Sequence, residues 1–270
     1  MDHLGLDIGF ASVKTVTQYG FDAFPAVVGD CPADGFHLGG GLDGRDAGAL
    51  VHEGRAYLVG ERALRLASRR FASLGRTWFE SPAYRVLAIT ALRRTLVARG
   101  RTVSLVTGLP VNDLKQHAEA VKLALEGTHK VEVLPEHTPW DVTIAGVTVI
   151  PQPLGTLFAE ILTPEGQLLT DGERSGRVGV LDVGFRTSDF FTLQGFDVVE
   201  AECFTRNTGA AQIMMELSRM IAREYGLELD PHAVDEAVLR GTIDVAGEAR
   251  PLRHLVVSLL DRHAEAIIAH

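Results

Sequence analysis

Cysteine, positive charge and long apolar runs are all scarce in this chain. Of its 270 residues only Cys31 and Cys203 are cysteines. They have neither metal-ligand nor redox spacing, so they read as incidental thiols of a reducing compartment. Acidic residues outnumber basic ones by 35 to 26, and the formal net charge is −9. That balance argues against a broad basic surface, and no direct contact with nucleic acid is expected. No apolar run approaches the roughly 18 residues of a membrane span. The opening residues, MDHLGLDIG, carry neither a basic segment nor a long apolar core, so they do not read as a signal peptide; a cytoplasmic protein is expected. The histidines include no helical pair beside an acid at metal-site spacing, and His117, His129 and His137 read as surface residues. An apolar content of 46% with 23% charged residues is that of a soluble globular protein of one or two domains.

What the chain does have is an internal repeat. LDIGFASVKTVTQYGFD at 6–22 returns as LDVGFRTSDFFTLQGFD at 181–197. Aligned without gaps at an offset of 175, eight of 17 positions are identical, where unrelated segments would share roughly one. Two copies so far apart point to two similar domains rather than a short-period solenoid.

Between the copies the pattern alternates between strand and helix. Residues 3–9 and 13–18 read as strand, glycine turn, strand. The span 29–56 is rich in Gly and Asp and reads as a peripheral insertion, with GGG at 39–41 a flexible surface turn. Residues 81–100 read as a helix with Ser81 as N-cap, Pro82 in the first turn and Gly100 at its end. TVSLVTGLP (102–110) is a buried strand, followed by a helix over 111–127. KVEVL (130–134), WDVTIAG (140–146) and VTVIPQP (147–153) are three strands. A helix begins at 154, and VGVLDVG (178–184) repeats the first strand. Helices are expected over 207–226, over 230–241 with Asp230 as cap, and over 252–270, with a hairpin at 242–252.

Each repeat places an aspartate at the end of an apolar strand, a glycine two residues later and then a small hydroxyl residue. Glycine lets backbone amides approach an anion closely, and successive amides at a turn form an anion-binding concavity to which Ser12 or Thr187 adds a donor. A carboxylate beside phosphates calls for a cation, so Asp7 and Asp182 are candidates to hold Mg²⁺ through its waters. Lys14 is the one basic residue of the first turn and suits the β- and γ-phosphates. A single such turn reads as a plain β-hairpin; two at matching places read as a nucleotide clamp.

With these motifs the chain resembles the actin superfamily of ATPases, which also holds sugar kinases and heat-shock chaperones of the seventy-kilodalton class. DIGFASVK (Asp7–Lys14) is similar to its first phosphate loop and DVGFRTSD (Asp182–Asp189) to its second. VIPQPLGTLFA, with Gln152 before Pro153, is similar to the first interdomain connection, and NTGAAQ (Asn207–Gln212) to the second. The four motifs keep the superfamily's order over about 205 residues. GLDIGFASVK, VTGLPV (106–111) and VDEAVLRGTIDVAGEARPL (234–252) look most like ParM-type plasmid-segregation actins and their archaeal relatives.

The resemblance implies an α/β, actin-like ATPase fold of two ribonuclease H-like duplicated domains, with ATP and Mg²⁺ in the interdomain cleft. Domain I would span 1–153, with a small insertion at about 29–80, and domain II 154–270. The adenosine-binding glycine turn of the superfamily does not occur after residue 209, so the C-terminal part is expected to be missing. The second turn also departs from the pattern at Phe185 and Arg186. Asp7 and Asp182 would organise the metal. Gly9, Ser12, Lys14, Gly184 and Thr187 would grip the phosphates, and Gln152 would orient the attacking water. Asn207 and Gly209 would line the site, and Glu216 would reach ribose or adenine, with a solvated helix face as its alternative. Asp189 supports the metal or serves the turn.

The implied activity is a slow ATPase that self-associates into filaments and moves or spaces DNA through a DNA-binding adaptor. A nucleotide-binding scaffold with little hydrolysis, of the pilus-assembly type, is the alternative. A small-molecule kinase using Asp113 is a third. RLASRRF (65–71) reads as a solvated basic face or a partner contact, and WFESPAY (78–84) as a joint between subdomains or a subunit contact.

Overall fold

In a computed structural model of the chain, the described residues are 2–18, 20–31, 49–71, 77–96, 100–163, 165–169, 176–195 and 197–268. The GGG at 39–41 lies outside them. The chain divides into two compact units, Met1–Ser175 and Gly176–His270.

Unit 1 is built on one large sheet. Its strands are β1 (Asp2–Ile8), β2 (Ser12–Thr17), β3 (Gly20–Pro25), β4 (Val28–Asp30), β5 (Leu50–His52) and β6 (Arg55–Val59). After α1 (Glu61–Leu66) come β7 (Arg70–Phe71), a 3₁₀ turn at Trp78–Glu80, α2 (Pro82–Thr95), β8 (Arg101–Leu109) and α3 (Val111–Leu125). The unit continues with β9 (Gly127–Val133), β10 (Thr138–Pro151) and α4 (Gln152–Ile161). The order across the sheet is β3-β2-β1-β8-β10-β9-β5-β6-β4-β7. β1, β8 and β10 are mutually parallel, in the register Leu6 to Thr107 and Leu109 to Pro151. Their carboxyl ends therefore share one edge, the usual ligand edge of an α/β sheet.

The alternation of β1 and β8 sends Leu4, Leu6, Val103 and Leu105 into the core, as a half-buried strand requires. α2 covers that face and is apolar nearly all round, with Val86, Leu87, Ile89, Ala91 and Leu92 almost fully buried; such a helix belongs inside a domain. Ser81 caps it by accepting from the Tyr84 amide at 3.4 Å. α2 ends at Thr95 rather than at Gly100, because Leu96 is already extended. Gly100 instead leads into β8, its amide bonded to the Asp141 carbonyl. The two strands expected at 140–153 are one, β10, whose register shifts between Ile144 and Gly146. The glycine marks a bulge, not a break.

Unit 2 opens with β11 (Arg177–Val183), β12 (Ser188–Gln194), β13 (Asp197–Val198), a 3₁₀ turn at Glu200–Glu202 and β14 (Phe204–Arg206). These strands form a sheet in which β12 pairs with all three others. Then follow α5 (Ala210–Tyr225), α6 (Pro231–Arg240), the hairpin β15 (Thr242–Val245) and β16 (Glu248–Pro251), and α7 (Arg253–Ile268). Leu217, Ile221, Val234, Ala237, Ile243, Leu252, Leu255 and Leu259 form a separate core beneath them. α4 packs against β8 and β10 and belongs to the first compact unit.

The repeat survives as structure. β1-turn-β2-β3 and β11-turn-β12-β13 are the same antiparallel ribbon. Their shared terminal aspartates differ in use. Asp197 is exposed, whereas Asp22 takes a two-point bond from Arg94, Nε to Oδ2 at 2.6 Å and Nη2 to Oδ1 at 3.3 Å. The guanidinium also lies 4.8 Å from the centre of the Phe24 ring. With both side chains mostly buried, removing one leaves the other uncompensated. Arg94→Met should lower the unfolding free energy by about 3 kcal/mol in urea titrations, and adding Asp22→Asn should recover part of that loss.

Candidate functional site

The first turn closes on itself. The Gly9 amide donates to the Ser12 carbonyl at 3.0 Å, and the Ala26 amide ties the Ala11 carbonyl to the end of β3 at 2.9 Å. Asp7 ends β1 directly opposite Lys14 on β2, with Nζ 3.4 Å from Oδ2. Its other oxygen, Oδ1, is buried without a hydrogen-bond partner. A buried carboxylate oxygen left over in this way is costly unless something binds it. Asp7, Gly9, Ser12 and Lys14 are thus held together by one tight turn at the carboxyl edge of the sheet.

The second turn repeats the closure, with Gly184 donating to the Thr187 carbonyl at 2.8 Å. Both glycine amides are used inside their turns, so these residues shape the loops rather than offer their own N–H groups. Where Lys14 stands in the first copy, the second has Asp189, directly opposite Asp182. Asp189 is buried and accepts from Thr187 Oγ1 at 3.2 Å and from Thr205 Oγ1 at 2.5 Å. Two carboxylates face to face across a strand pair repel unless a cation or proton intervenes.

α5 fastens this turn. The Ala210 amide donates to the Gly184 carbonyl, Ala211 to Phe185 and Gly209 to Arg186, at 3.0, 2.6 and 3.0 Å. Ser188 Oγ adds a bond to the Thr208 carbonyl at 3.1 Å. The first amides of a helix lack partners within it, and here the loop carbonyls supply them. Contact this close needs glycine: a Cβ at 209 would lie 2.4 Å from the Arg186 carbonyl carbon and 2.5 Å from the Phe185 oxygen. Asn207 is exposed at the entrance, its carbonyl taking a bond from Gln212 Nε2 at 2.6 Å.

Gln152 opens α4 at the end of β10, two strand spacings from β1, or about 10 Å. Its side chain lies over Gly108 of β8, where an added Cβ would meet Gln152 Cγ at 2.8 Å. The sequence offered TVSLVTGLP as a buried strand and gave no reason for its glycine; that reason is this contact. Unit 1 therefore gathers Asp7, Gly9, Ser12, Lys14 and Gln152 at one edge. Unit 2 gathers Asp182, Gly184, Thr187, Asn207 and Gly209. Glu216 stands apart, about 10 Å along α5 from Gly209. It binds α7 instead, through Arg262 at 2.8 Å and His263 at 3.4 Å. Burial alone would raise its carboxyl, but the hydrogen bonds from Arg262 and His263 hold it below the ordinary range. The periodicity of α7 carried no sign of this pairing. Among the described residues, no three His, Cys, Asp or Glu side chains cluster to hold a metal ion, and no helix is long and apolar enough to cross a membrane.

Residues 5–155 match the family described as actin like proteins, N-terminal domain, and residues 180–270 match the archaeal actin homologue MreB-like, C-terminal. Among solved structures, the native archaeal actin homologue Ta0583 is 21% identical, with TM-score 0.81, over 100% of this chain and 81% of its own. Its complex with ADP superposes with TM-score 0.77 at 21% identity, over 100% of this chain and 80% of that one. A 15-stranded ParM filament from Clostridium botulinum gives 0.76 at 18% identity, over 99% of this chain and 82% of its own. At these identities the likeness is one of fold. No curated protein matches the chain. As a test of the second turn, Gly209→Ala should lower the unfolding free energy by about 2 kcal/mol in urea. Gly179→Ala, which meets nothing within 4 Å, should be close to neutral.

Proposed function

The chain belongs to the actin-like proteins, and on that footing we propose that it binds and slowly hydrolyses ATP and assembles into nucleotide-dependent filaments. The observation that carries the reading is the turn made twice. Each copy has an aspartate ending a strand, a glycine amide closing on the carbonyl of a hydroxyl residue, and a sheet edge beyond. A single hairpin has no need of the buried, unpartnered oxygen of Asp7 at its base; a cation bridging the carboxylate to phosphate would use it. The complex of Ta0583 with ADP supports nucleotide as the ligand.

Asp7 and Asp182 fit Mg²⁺, a hard cation that keeps several waters and asks for one or two carboxylates rather than a protein cage. The orphaned Asp7 Oδ1 is the chemistry such an ion satisfies. When bound, Mg²⁺ would neutralise phosphate charge. Lys14 and the hydroxyls of Ser12 and Thr187 would hold the phosphates. Gln152, a neutral amide at the sheet edge, would orient a water rather than deprotonate it, and positioning is most of the work in phosphoryl transfer.

The ParM filament supports head-to-tail assembly, which needs only two complementary faces on one chain. The acidic surface directs any work on DNA to an adaptor, and the reading is of a cytoplasmic segregation or positioning role. The test is light scattering, pelleting and phosphate release in one tube, with Mg-ATP, Mg-ADP and no nucleotide. Assembly is expected with Mg-ATP, phosphate following. Assembly without phosphate would favour a scaffold, and phosphate without assembly a kinase or monomeric switch. Gln152→Ala should keep ATP binding and lose about 100-fold in turnover. Gly108→Ala, which crowds Gln152, should lower turnover in the same direction with ATP affinity kept.

A further inference from the structure

The two turns share a backbone but not a support. The second is fastened by three amides of residues 209–211 at the α5 entrance. The first is tied to the end of β3 by the Ala26 amide on the Ala11 carbonyl, and in place of a helix end it has an aromatic contact. Phe10, at the tip of the turn, lies 5.8 Å from Trp78, ring centre to ring centre. Trp78 in turn meets Tyr84 edge-on at 4.9 Å. Ser81 fixes this segment twice over, donating to the Trp78 carbonyl at 2.6 Å and accepting from the Tyr84 amide.

Tyr84 is buried beneath β1. Burial pushes its hydroxyl above the ordinary tyrosine range; Thr107 beside it acts the other way, and Asp7 is close enough for its charge to add to the rise. Phe79 carries the ring contacts on to His117 of α3, at 5.2 Å. A single seven-residue segment, 78–84, therefore bears the tip of the first turn through Trp78 and is itself locked to α2 through Ser81 and Tyr84.

We infer that Phe10 and Trp78 are positioning residues for the first phosphate turn, the Phe10–Trp78 contact fixing the tip and Tyr84 and Ser81 holding Trp78 in place. The inference rests on the reading of that turn as part of a nucleotide site. It makes Trp78 a reporter of occupancy, since phosphates gripped at residues 9–14 bear directly on the ring that Trp78 touches. Phe185 holds the equivalent place in the second copy but gives its carbonyl to Ala211.

The chain has two tryptophans, and the other, Trp140, is buried in β10, so Trp140→Phe leaves emission to Trp78 alone. In that full-length background, Mg-ATP is titrated twice, by emission and by calorimetry. The expected result is a saturable change in Trp78 emission with the midpoint of the calorimetric isotherm. Phe10→Ala should abolish the change and weaken Mg-ATP binding about tenfold, with an unaltered thermal midpoint, and Phe10→Tyr should restore both. Calorimetric binding with silent emission, or Phe10→Ala binding as tightly as its parent, would overturn the inference and leave the nucleotide reading standing. No heat of binding in the unmutated chain would overturn both.

Discussion

A hydrogen bond from a glycine amide to a carbonyl three residues on is the constraint on which everything else here depends. It folds the end of β1 back into β2, and the end of β11 back into β12. A side chain at the glycine would press on the accepting oxygen, at 3.0 Å for position 9 and 3.3 Å for position 184. The bond aims the strand-end aspartate and the hydroxyl residue at the same place. Without it, Asp7 and Ser12 would be two polar residues on a sheet edge.

Duplication then allowed the copies to diverge around a fixed core geometry. In the first, the residue opposite the aspartate is a lysine, so the turn carries its own cation. In the second it is a buried aspartate held by two threonines. The first turn leans on aromatic rings, the second on the opening residues of α5. Asp22 anchors α2 through Arg94, whereas Asp197 is exposed. One backbone thus supports two electrostatic environments, one carrying an amine and the other two carboxylates.

Much of this was legible in the sequence, for physical reasons. The repeat, the caps at Ser81 and Asp230, and the alternation of β1 and β8 are local, and local patterns set strands, turns and helix starts. The actin-like fold followed from four motifs in order, and the family match agrees with it. What escaped depends on contacts distant in sequence. Nothing near Gly108 explained a glycine within its strand, because Gln152 lies 44 positions away. Glu216 read as a ligand residue or a solvated helix face, with no sign of its ion pairs, because Arg262 and His263 are on another helix. Trp78 and Phe79 read as a joint between subdomains or a subunit contact, since nothing near residue 78 points to Phe10. The bulge at Gly146 read as a break because glycine is the signal for both.

The parallel pairing of β1 with β8 also sets an order of events. Asp2 lies beside Val103, so β1 cannot gain its central neighbour until about 100 further residues have been made. Closing so long a loop is slow. The helical core of unit 2 joins residues from 217 to 259, much nearer along the chain. The parallel pairing at the centre of the unit 1 sheet is therefore among the last parts of its own unit to take shape, although the hairpin that β1 forms with β2 is local.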